Sequence, residues 1–478
     1  MRVRRTGVSA AAIAAAALTL VVPTVATAVP AAAEPVQAKA RPSAPIVVER
    51  DRPTQRLHVR ADSTGEALLD LTVAAPGTDW AVEGKESAVV SVYVDRRYAT
   101  DVVVTGDAPS AHQVALGQLR RGPHTLELRY ADASSAAGAK SVVASDLQVE
   151  TYARNDPEYS ALRFAPILYG RNMAEFGDAY QNATTDTPLI AWHETGPGSK
   201  PGHVRITYSV IWSNEDGGTN TPALMARWGR TTDIEWIYAV ELDANGERVA
   251  GSDTYQAPNH ATLQFKGGYE GDHAKLQTCT SNNNLCDQVD DPMRFFLSTL
   301  ETRPADQARE AVMDANPWTY LVMAKELIRE GKIEAAAPNA PDTPEVSDQR
   351  NYLYAVVKKT TEGANTGSSW VGVALGVRLT SGETVYLSHH VDPTRSLQRD
   401  DPAATTVELP AGTTQDDIAE ITARRVVVGT DSGAAVHVTG IQRGFLLGTD
   451  YLPQPSFLTW SGDMTLTADQ PTAVLWRR

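Results

Sequence analysis

Apolar and polar residues alternate with a period of two along most of this chain, and this pattern constrains the fold more than any other feature. The runs Gln55–Arg60, Ala67–Val73, Val89–Val94 and His124–Tyr130 show it clearly. Successive side chains of a β-strand point to opposite faces, so such runs are typical of strands with one buried face. Turn residues separate the runs, as they do in antiparallel hairpins. The chain is therefore predicted to be mainly β, built from antiparallel β-sandwich modules.

Composition shifts divide the β pattern into three regions. Residues 46–153 are predicted to form an N-terminal β-sandwich module, whose hairpin rhythm resembles that of the jelly-roll accessory modules of secreted carbohydrate-active proteins. Residues 154–333 are predicted to form a central β-sandwich-like domain with a short helical insert at its C-terminal end. Residues 334–349, which are rich in Ala, Pro, Asn and Asp, are predicted to be a linker. Residues 350–478 are predicted to form a C-terminal β domain.

The first residues are predicted to be an export signal. Arginines precede the apolar run Val8–Val22, and the small residues Ala26-Thr-Ala28 fit a cleavage site. The apolar run is shorter than the roughly 20 residues that a membrane span needs. We therefore predict a signal peptide over residues 1–28 and a flexible Ala/Pro-rich leader over residues 29–45. The mature chain is expected to be secreted, extracellular or cell-wall associated, with no transmembrane segment.

The charge of the chain excludes one large class of partner. The formal net charge is −15 at pH 7, whereas a protein that binds nucleic acid needs a basic face to neutralise phosphates. We therefore predict no nucleic-acid partner. An acidic surface favours solubility outside a cell.

The chain has two cysteines, Cys279 and Cys286, which flank a short polar loop. In an exported protein a single pair this close in sequence favours a disulfide that holds a local loop. A metal site lacks further ligands at a recognisable spacing. The pair is therefore predicted to be disulfide-bonded.

Two strand-like segments of the central region carry acids at their ends. The first segment is followed by Glu215 and Asp216, and the second opens with Asp233 and Glu235. Because residues i and i+2 of a strand share a face, Asp233 and Glu235 are expected to point the same way. Neighbouring carboxylates repel each other unless a cation or a proton lies between them. These acids are therefore a candidate site.

Short motifs of the central region resemble two known families. Tyr208-Ser-Val-Ile-Trp-Ser-Asn-Glu215 looks like the Tyr-Ser-Trp-Tyr-Phe-Pro-Lys-Asp strand of the necrosis-inducing (Nep1-like, NPP1) proteins. Gly229-Arg-Thr-Thr-Asp-Ile-Glu235 resembles their Gly-His-Arg-His-Asp-Trp-Glu heptapeptide. Arg163-Phe-Ala-Pro166 and Gly271-Asp-His-Ala274 are similar to motifs of Vps62-related proteins.

The resemblance implies a central β-sandwich with an acidic pocket that holds a divalent cation, calcium or magnesium. By position, the metal ligands would be Glu215, Asp216, Asp233 and Glu235. In the necrosis-inducing family such a pocket engages a glycosylated lipid head group at a target membrane. The resemblance therefore implies a glycan or a glycosylated surface as the partner.

This chain departs from the heptapeptide at two positions. The first histidine of the family, a metal ligand, is replaced here by Arg230, and the second histidine is replaced by Thr232. A cationic Arg230 could neutralise the acids without a metal. The alternative interpretation is thus a solvated strand end with salt bridges to Arg227 and Arg230.

An aromatic residue and a histidine complete the predicted ligand-binding set. An exposed indole beside carboxylates is typical of sugar sites, and Trp228 borders a glycine-containing loop. His273 follows the acids in the chain and could approach them in the fold. The predicted ligand-binding residues are Asp233, Glu235, Arg230, Trp228 and His273.

Three functions stay open at this point. The first is a secreted multi-module protein that binds glycans or a glycosylated surface through the acidic pocket. The second is a secreted carbohydrate-active enzyme, a glycoside hydrolase or lyase, because paired carboxylates can hydrolyse glycosides. The third is a structural envelope protein without a site. Serine hydrolase chemistry is not supported, since the chain has no Gly-x-Ser-x-Gly motif.

Overall fold

The predicted signal peptide and most of the predicted leader lie outside the described residues, and so does Asp216. The computed structural model describes residues 44–171, 184–215, 220–340, 343–363, 365 and 367–478.

The predicted fold class is confirmed, because the described residues are mainly β and pair in antiparallel sheets. The strands are numbered along the chain. They are β1 (Ile46–Glu49), β2 (Thr54–Ala61), β3 (Gly65–Ala74), β4 (Ala88–Val94), β5 (Arg97–Val104), β6 (Ser110–Leu119), β7 (Gly122–Tyr130), β8 (Ser141–Tyr152), β9 (Ile167–Tyr169), β10 (Pro188–Pro197), β11 (Val204–Trp212), β12 (Asp233–Leu242), β13 (Thr254–Ala257), β14 (Ala261–Gln264), β15 (Tyr269–Glu270), β16 (His273–Thr278), β17 (Leu285–Cys286), β18 (Arg294–Phe295), β19 (Ile333–Glu334), β20 (Val346–Ser347), β21 (Tyr352–Thr361), β22 (Trp370–Leu379), β23 (Val385–Leu387), β24 (Ala403–Glu408), β25 (Ile418–Val428), β26 (Val436–Phe445), β27 (Trp460–Leu466) and β28 (Thr472–Arg477).

Helices are short and lie mostly in the central region. The α-helices are α1 (Tyr159–Arg163), α2 (Thr221–Trp228), α3 (Ala311–Ala315) and α4 (Trp318–Arg329). Single 3₁₀ turns lie at Asp132–Ser134, Pro258–His260, Gln349–Asn351, Pro393–Arg395 and Gln415–Asp417. None of the helices in the described ranges has the length and apolarity to span a bilayer.

The N-terminal region forms two four-stranded sheets, with strand orders β1-β8-β3-β6 and β2-β7-β4-β5. Strands β4 and β5 form a hairpin that turns at Asp95 and Arg96, whose φ angles are 49° and 71°. Two residues with positive φ are typical of a type I′ turn, which matches the twist of the flanking strands. Side chains such as Leu71 and Val90 are buried in the core of this module.

The C-terminal region also forms two four-stranded sheets, with strand orders β24-β21-β26-β27 and β23-β22-β25-β28. Its core contains alternate residues of β22, among them Val373 and Leu375, which are fully buried. The predicted linker 334–349 contains β20, which pairs in parallel with β19 just before the linker. This segment is therefore tied to the central region by backbone hydrogen bonds.

The central region contains the antiparallel sheet β10-β11-β12-β13-β14 and a smaller sheet β15-β16-β9-β18, to which β17 is added beside β16. Its hydrophobic core extends into both flanking modules. Leu68 and Trp80 of the N-terminal region belong to this core, and so do Tyr354 and Phe445 of the C-terminal region. The three regions therefore share apolar contacts.

Candidate functional site

The predicted acids lie where the ends of two neighbouring strands meet. Trp212, the last residue of β11, pairs with Asp233, the first residue of β12. The backbone N–H of Glu215 donates to the carbonyl oxygen of Thr231 at 3.0 Å. The structure thus brings Glu215, Asp233 and Glu235 close enough for their charges to interact. Asp216 lies outside the described residues.

Burial decides the chemistry of Asp233, which is 2 % exposed. Burial raises the pKa of its carboxyl well above the usual range, and the negative charges of Glu215 and Glu235 raise it further. Its Oδ2 accepts a hydrogen bond from the side-chain amide of Asn283 at 2.9 Å. Glu235 is half-buried, and its Oε2 accepts from Gln256 Nε2 at 2.8 Å. Asp233 therefore favours the protonated form, and its side chain lies in the protein interior.

Arg230 does not form an ion pair with these strand-end acids. Its Nε lies 2.9 Å from Glu310 Oε1, both side chains are 3 % exposed, and a second nitrogen donates to the carbonyl oxygen of Thr232. Its positive charge still lowers the pKa of Asp233 from a distance. Arg230, which replaces the first histidine of the heptapeptide, therefore binds Glu310, which precedes α3.

The predicted disulfide between Cys279 and Cys286 is confirmed. The loop that it closes carries Asn283, whose amide nitrogen donates both to Asp233 and to the backbone oxygen of Asn214. The disulfide therefore holds the residue that hydrogen-bonds Asp233.

The predicted divalent cation, calcium or magnesium, stays a prediction. Carboxylate oxygens are suitable donors for either ion. However, the residues that the structure describes include no group of three His, Cys, Asp or Glu side chains placed to share an ion.

His273 lies apart from the acids. Its Nδ1 lies 2.9 Å from the carbonyl oxygen of Ala165, and its Nε2 lies 3.6 Å from Glu66 Oε2. It lines a cavity of about 380 Å³ together with residues such as Arg97 and Arg163. This second cavity lies between the N-terminal and central regions.

Trp228, the last residue of α2, lines a cavity of about 400 Å³ that we call the Trp228 cleft. The cleft is formed by the central region and by the segment that precedes β24 in the C-terminal region. Its polar lining consists of guanidinium, carboxylate, indole and amide groups. These belong to Glu194, Trp228, Arg303, Gln307, Arg309, Glu310, Arg399 and Asp401.

Hydroxyl groups of β24 fix the end of α2 at the cleft. The last carbonyl groups of a helix lack partners within the helix. Thr405 Oγ1 donates to the carbonyl oxygen of Ala226 at 2.6 Å, and Thr406 Oγ1 donates to that of Met225 at 2.9 Å. Trp228 lies two residues after Ala226 in the same helix. Its position therefore depends on the C-terminal module.

Two guanidinium groups contact the walls of the cleft in different ways. The Cζ atom of Arg399 lies 3.9 Å from the centroid of the Trp228 ring, in a cation–π contact. Arg303 forms an ion pair with Glu194, and its Nε–Oε1 distance is 3.0 Å. The Nε1 of Trp192 donates to the other oxygen of Glu194 at 3.4 Å. The cleft thus combines an aromatic ring with groups of both charges.

Glu310 is the buried carboxylate of the cleft. Burial alone would raise its pKa, but the positive charges of Arg230, Arg399 and Arg309 lower it below the usual range. Glu310 is therefore ionised, and it forms a buried ion pair with Arg230.

Sequence reasoning identified Trp228 but missed most of its neighbours. Arg399 and Asp401 are about 170 residues away in the chain and belong to another module. Arg309 and Glu310 precede α3 in a segment without strand periodicity. No local spacing joins these residues, so only the fold could bring them together.

No protein-family model matches the chain, and no curated protein matches it. The resemblance to necrosis-inducing and Vps62-related proteins therefore stays a prediction.

Several solved structures are partly similar. A family 35 carbohydrate-binding module from an environmental isolate is 10 % identical, with a TM-score of 0.16, over 21 % of this chain and 70 % of that chain. The C-terminal domain of EclA, a sugar-binding protein, is 12 % identical, with a TM-score of 0.17, over 25 % and 89 %. A GH26-CBM35 mannanase from Podospora anserina is 13 % identical, with a TM-score of 0.14, over 28 % and 38 %. At these values the similarities carry no argument about this chain.

Proposed function

We propose that this chain is an exported protein that binds a glycan in the Trp228 cleft. The proposal depends on one observation: the Trp228 indole lines the same cavity of about 400 Å³ as several guanidinium and carboxylate groups. Ligand sites of this size combine an apolar or aromatic surface with a few polar groups that fix orientation. Sugars offer hydroxyl groups to such polar side chains and C–H groups to apolar surfaces.

The proposal moves the predicted glycan site away from the acids at the strand ends. Asp233 is 2 % exposed, which leaves almost none of its side chain for a ligand. Trp228 is half-buried and lies at a cavity wall. Among the predicted ligand-binding residues, Trp228 is therefore the one that we propose contacts the glycan.

Binding is favoured over hydrolysis at this cleft. Glycoside hydrolysis needs one carboxyl group that stays protonated until it donates to the leaving group, and such a group has a raised pKa. The pKa of Glu310 is lowered by three arginines, and the carboxylate is bound to Arg230. Glu310 is therefore unsuited to the role of general acid.

A binding assay on immobilised polysaccharides tests the proposal. The full-length chain is compared with Trp228→Ala and with Trp476→Ala, a matched control because Trp476 is also half-buried but lies on β28, away from the cleft. We expect Trp228→Ala to weaken binding about tenfold or more, which corresponds to about 1.4 kcal/mol. Trp476→Ala should bind like the wild type. Absence of binding to every polysaccharide, or equal binding by Trp228→Ala, would overturn the proposal.

A further inference from the structure

Two arginines of the Trp228 cleft form no ion pair with a carboxylate of the described residues. Arg303 is paired with Glu194, and the buried Arg230 is paired with Glu310. No ion pair joins Arg309 or Arg399 to any residue in the described ranges. A protein with a net charge of −15 therefore directs two unpaired guanidinium groups into one cavity.

Arg399 keeps its hydrogen-bond donors available. Its Cζ atom lies 3.9 Å from the centroid of the Trp228 ring, and the group forms no hydrogen bond with the described side chains or backbone. Its N–H groups are donors that an anion can use. Burial, together with Arg309 and Arg230, lowers the pKa of Arg399 to about 10, although Glu310 attracts the charge. The positive charges of Arg309 and Arg230 therefore act on this side chain.

Arg309 is the second available donor. One of its nitrogens donates to the carbonyl oxygen of Ile234 at 2.7 Å, which anchors the side chain to β12. Burial and the charge of Arg230 lower its pKa. Its remaining N–H groups have no partner among the described residues. Arg309 is thus fixed in position and still able to bind an anion.

The carboxylates around the cleft leave these two arginines uncompensated. Glu235, whose charge reaches Arg309, accepts a hydrogen bond from Gln256. Asp401 attracts Arg399 but is an exposed residue at the cavity wall. An exposed charge is screened by water and contributes little.

We propose that Arg309 and Arg399 bind the carboxylate of a uronic acid residue, so that the glycan ligand of the Trp228 cleft is an acidic one. This inference rests on the proposed function and names its substrate class. Arginine presents a planar set of donors that matches a carboxylate through two parallel hydrogen bonds. The cation–π contact with Trp228 restrains Arg399, which reduces the entropy lost when the anion binds.

Isothermal titration calorimetry with matched oligosaccharides tests this inference. The ligands are oligomers of galacturonate, glucuronate and mannuronate, the same oligomers with their carboxyl groups reduced to alcohols, and a sulfated neutral oligomer. We expect at least one uronate oligomer to bind the full-length wild-type chain at least tenfold more tightly than its reduced form. Its affinity should fall as salt is added, because salt screens charge.

Four variants complete the test. Arg309→Gln and Arg399→Gln should each weaken uronate binding about tenfold or more. Arg399→Lys should also weaken it, because lysine keeps the charge but lacks the planar donor set. Arg60→Gln is the control, since Arg60 is exposed on β2 and its substitution changes the net charge equally. Thermal unfolding of each variant verifies that it is folded.

The outcomes separate this inference from the proposed function. Equal binding of a uronate oligomer and its reduced form, lost in Trp228→Ala, would overturn the inference and leave glycan binding intact. Binding of the sulfated oligomer alone, or uronate binding that Arg399→Gln and Arg309→Gln leave unchanged, would also overturn it. Absence of binding to all the oligomers and to the polysaccharides above would overturn both proposals.

Discussion

Burial changes what a charged side chain can do in this protein. Asp233 and Arg230 are close in sequence, yet the pKa of Asp233 is raised well above its usual range whereas Arg230 is held as an ion by Glu310. These two buried side chains differ in the charge of their neighbours. Asp233 is near two other carboxylates, whereas Arg230 has a buried carboxylate at 2.9 Å. Buried ions persist only where such a partner exists.

His112 provides a prediction about pH. Burial lowers the pKa of its imidazole from 6.5 to about 4. Its Nε2 lies 2.9 Å from Ser110 Oγ, and its ring centroid lies 5.0 Å from that of Trp318. The folded chain therefore favours the neutral ring, and this contribution to stability is complete above pH 6.5. It is lost as the pH falls from 6.5 towards 4, since the unfolded chain then binds the proton more readily.

As the pH is lowered from 6.5 to 4, we expect the unfolding free energy of His112→Gln to decrease less than that of the wild type. The difference in the pH dependence of the unfolding free energy should be on the order of 1–3 kcal/mol between pH 6.5 and 4. Urea denaturation at several pH values measures it. His58→Gln is the control, because His58 is exposed on β2. The same acid sensitivity in wild type and His112→Gln would contradict the prediction.

Individual residues show where sequence reasoning reaches its limit. The short spacing of the cysteines correctly indicated a disulfide. The i, i+2 spacing predicted that Asp233 and Glu235 point the same way, and in the fold the charge of Glu235 raises the pKa of Asp233. Burial of Asp233 and the pairing of Arg230 with Glu310 depend on contacts between distant segments. Such contacts have no local signature, so the sequence could not show them.

Helix α2 and strand β24 belong to different modules, but they are hydrogen-bonded and closely packed at the cleft. Gly229 ends α2 in the left-handed region, with a φ of 65°, as is usual for a helix C-terminus. A Cβ atom at Gly229 would lie 3.1 Å from Ala404 Cβ and 3.1 Å from the backbone nitrogen of Thr405. Glycine therefore permits both the turn and the close approach of the two elements.

We expect Gly229→Ala to destabilise the protein more than Gly246→Ala. Gly246 also has a positive φ, 76°, but nothing lies within 4 Å of the position of its added Cβ. Both variants pay about 1 kcal/mol for the backbone conformation, whereas only Gly229→Ala adds a clash with β24. Overpacking typically costs about 1–3 kcal/mol.

Chemical denaturation measures both variants, and glycan affinity reports on the cleft. Gly229→Ala should also weaken the binding of any glycan that the wild type binds, because Trp228 is the preceding residue. Equal losses of stability in the two variants would show that the close approach of α2 and β24 has no energetic consequence.

The strands themselves were largely predictable, but their arrangement was not. Alternation placed segments such as Ala67–Val73 and Val89–Val94 within β3 and β4, because one buried face enforces a period of two. However, the order β1-β8-β3-β6 joins strands far apart in the chain. Alternation identifies the buried face of a strand but not its neighbour.

The core of the central region includes residues of both terminal regions, and each terminal region also has a core of its own. Trp80 of the N-terminal region is fully buried in the central core. Its indole nitrogen donates to Glu326, and its backbone oxygen accepts from Arg329 at 3.1 Å, so that both partners lie on α4. Regions joined by buried apolar and hydrogen-bonded contacts are expected to unfold together.

We therefore expect scanning calorimetry of the wild type to show one cooperative transition, with a calorimetric enthalpy close to the van't Hoff enthalpy. Trp80→Ala should lower the unfolding free energy by about 3–5 kcal/mol, the usual cost of removing a large buried aromatic side chain. It also removes one of the two hydrogen-bond donors that the buried Glu326 carboxyl group has among the described residues, the other being Arg329. Val82→Ala is the control, because Val82 lies in the same loop and is 40 % exposed. Two separate transitions, of which Trp80→Ala shifts only one, would show instead that the N-terminal module folds independently of the Trp228 cleft.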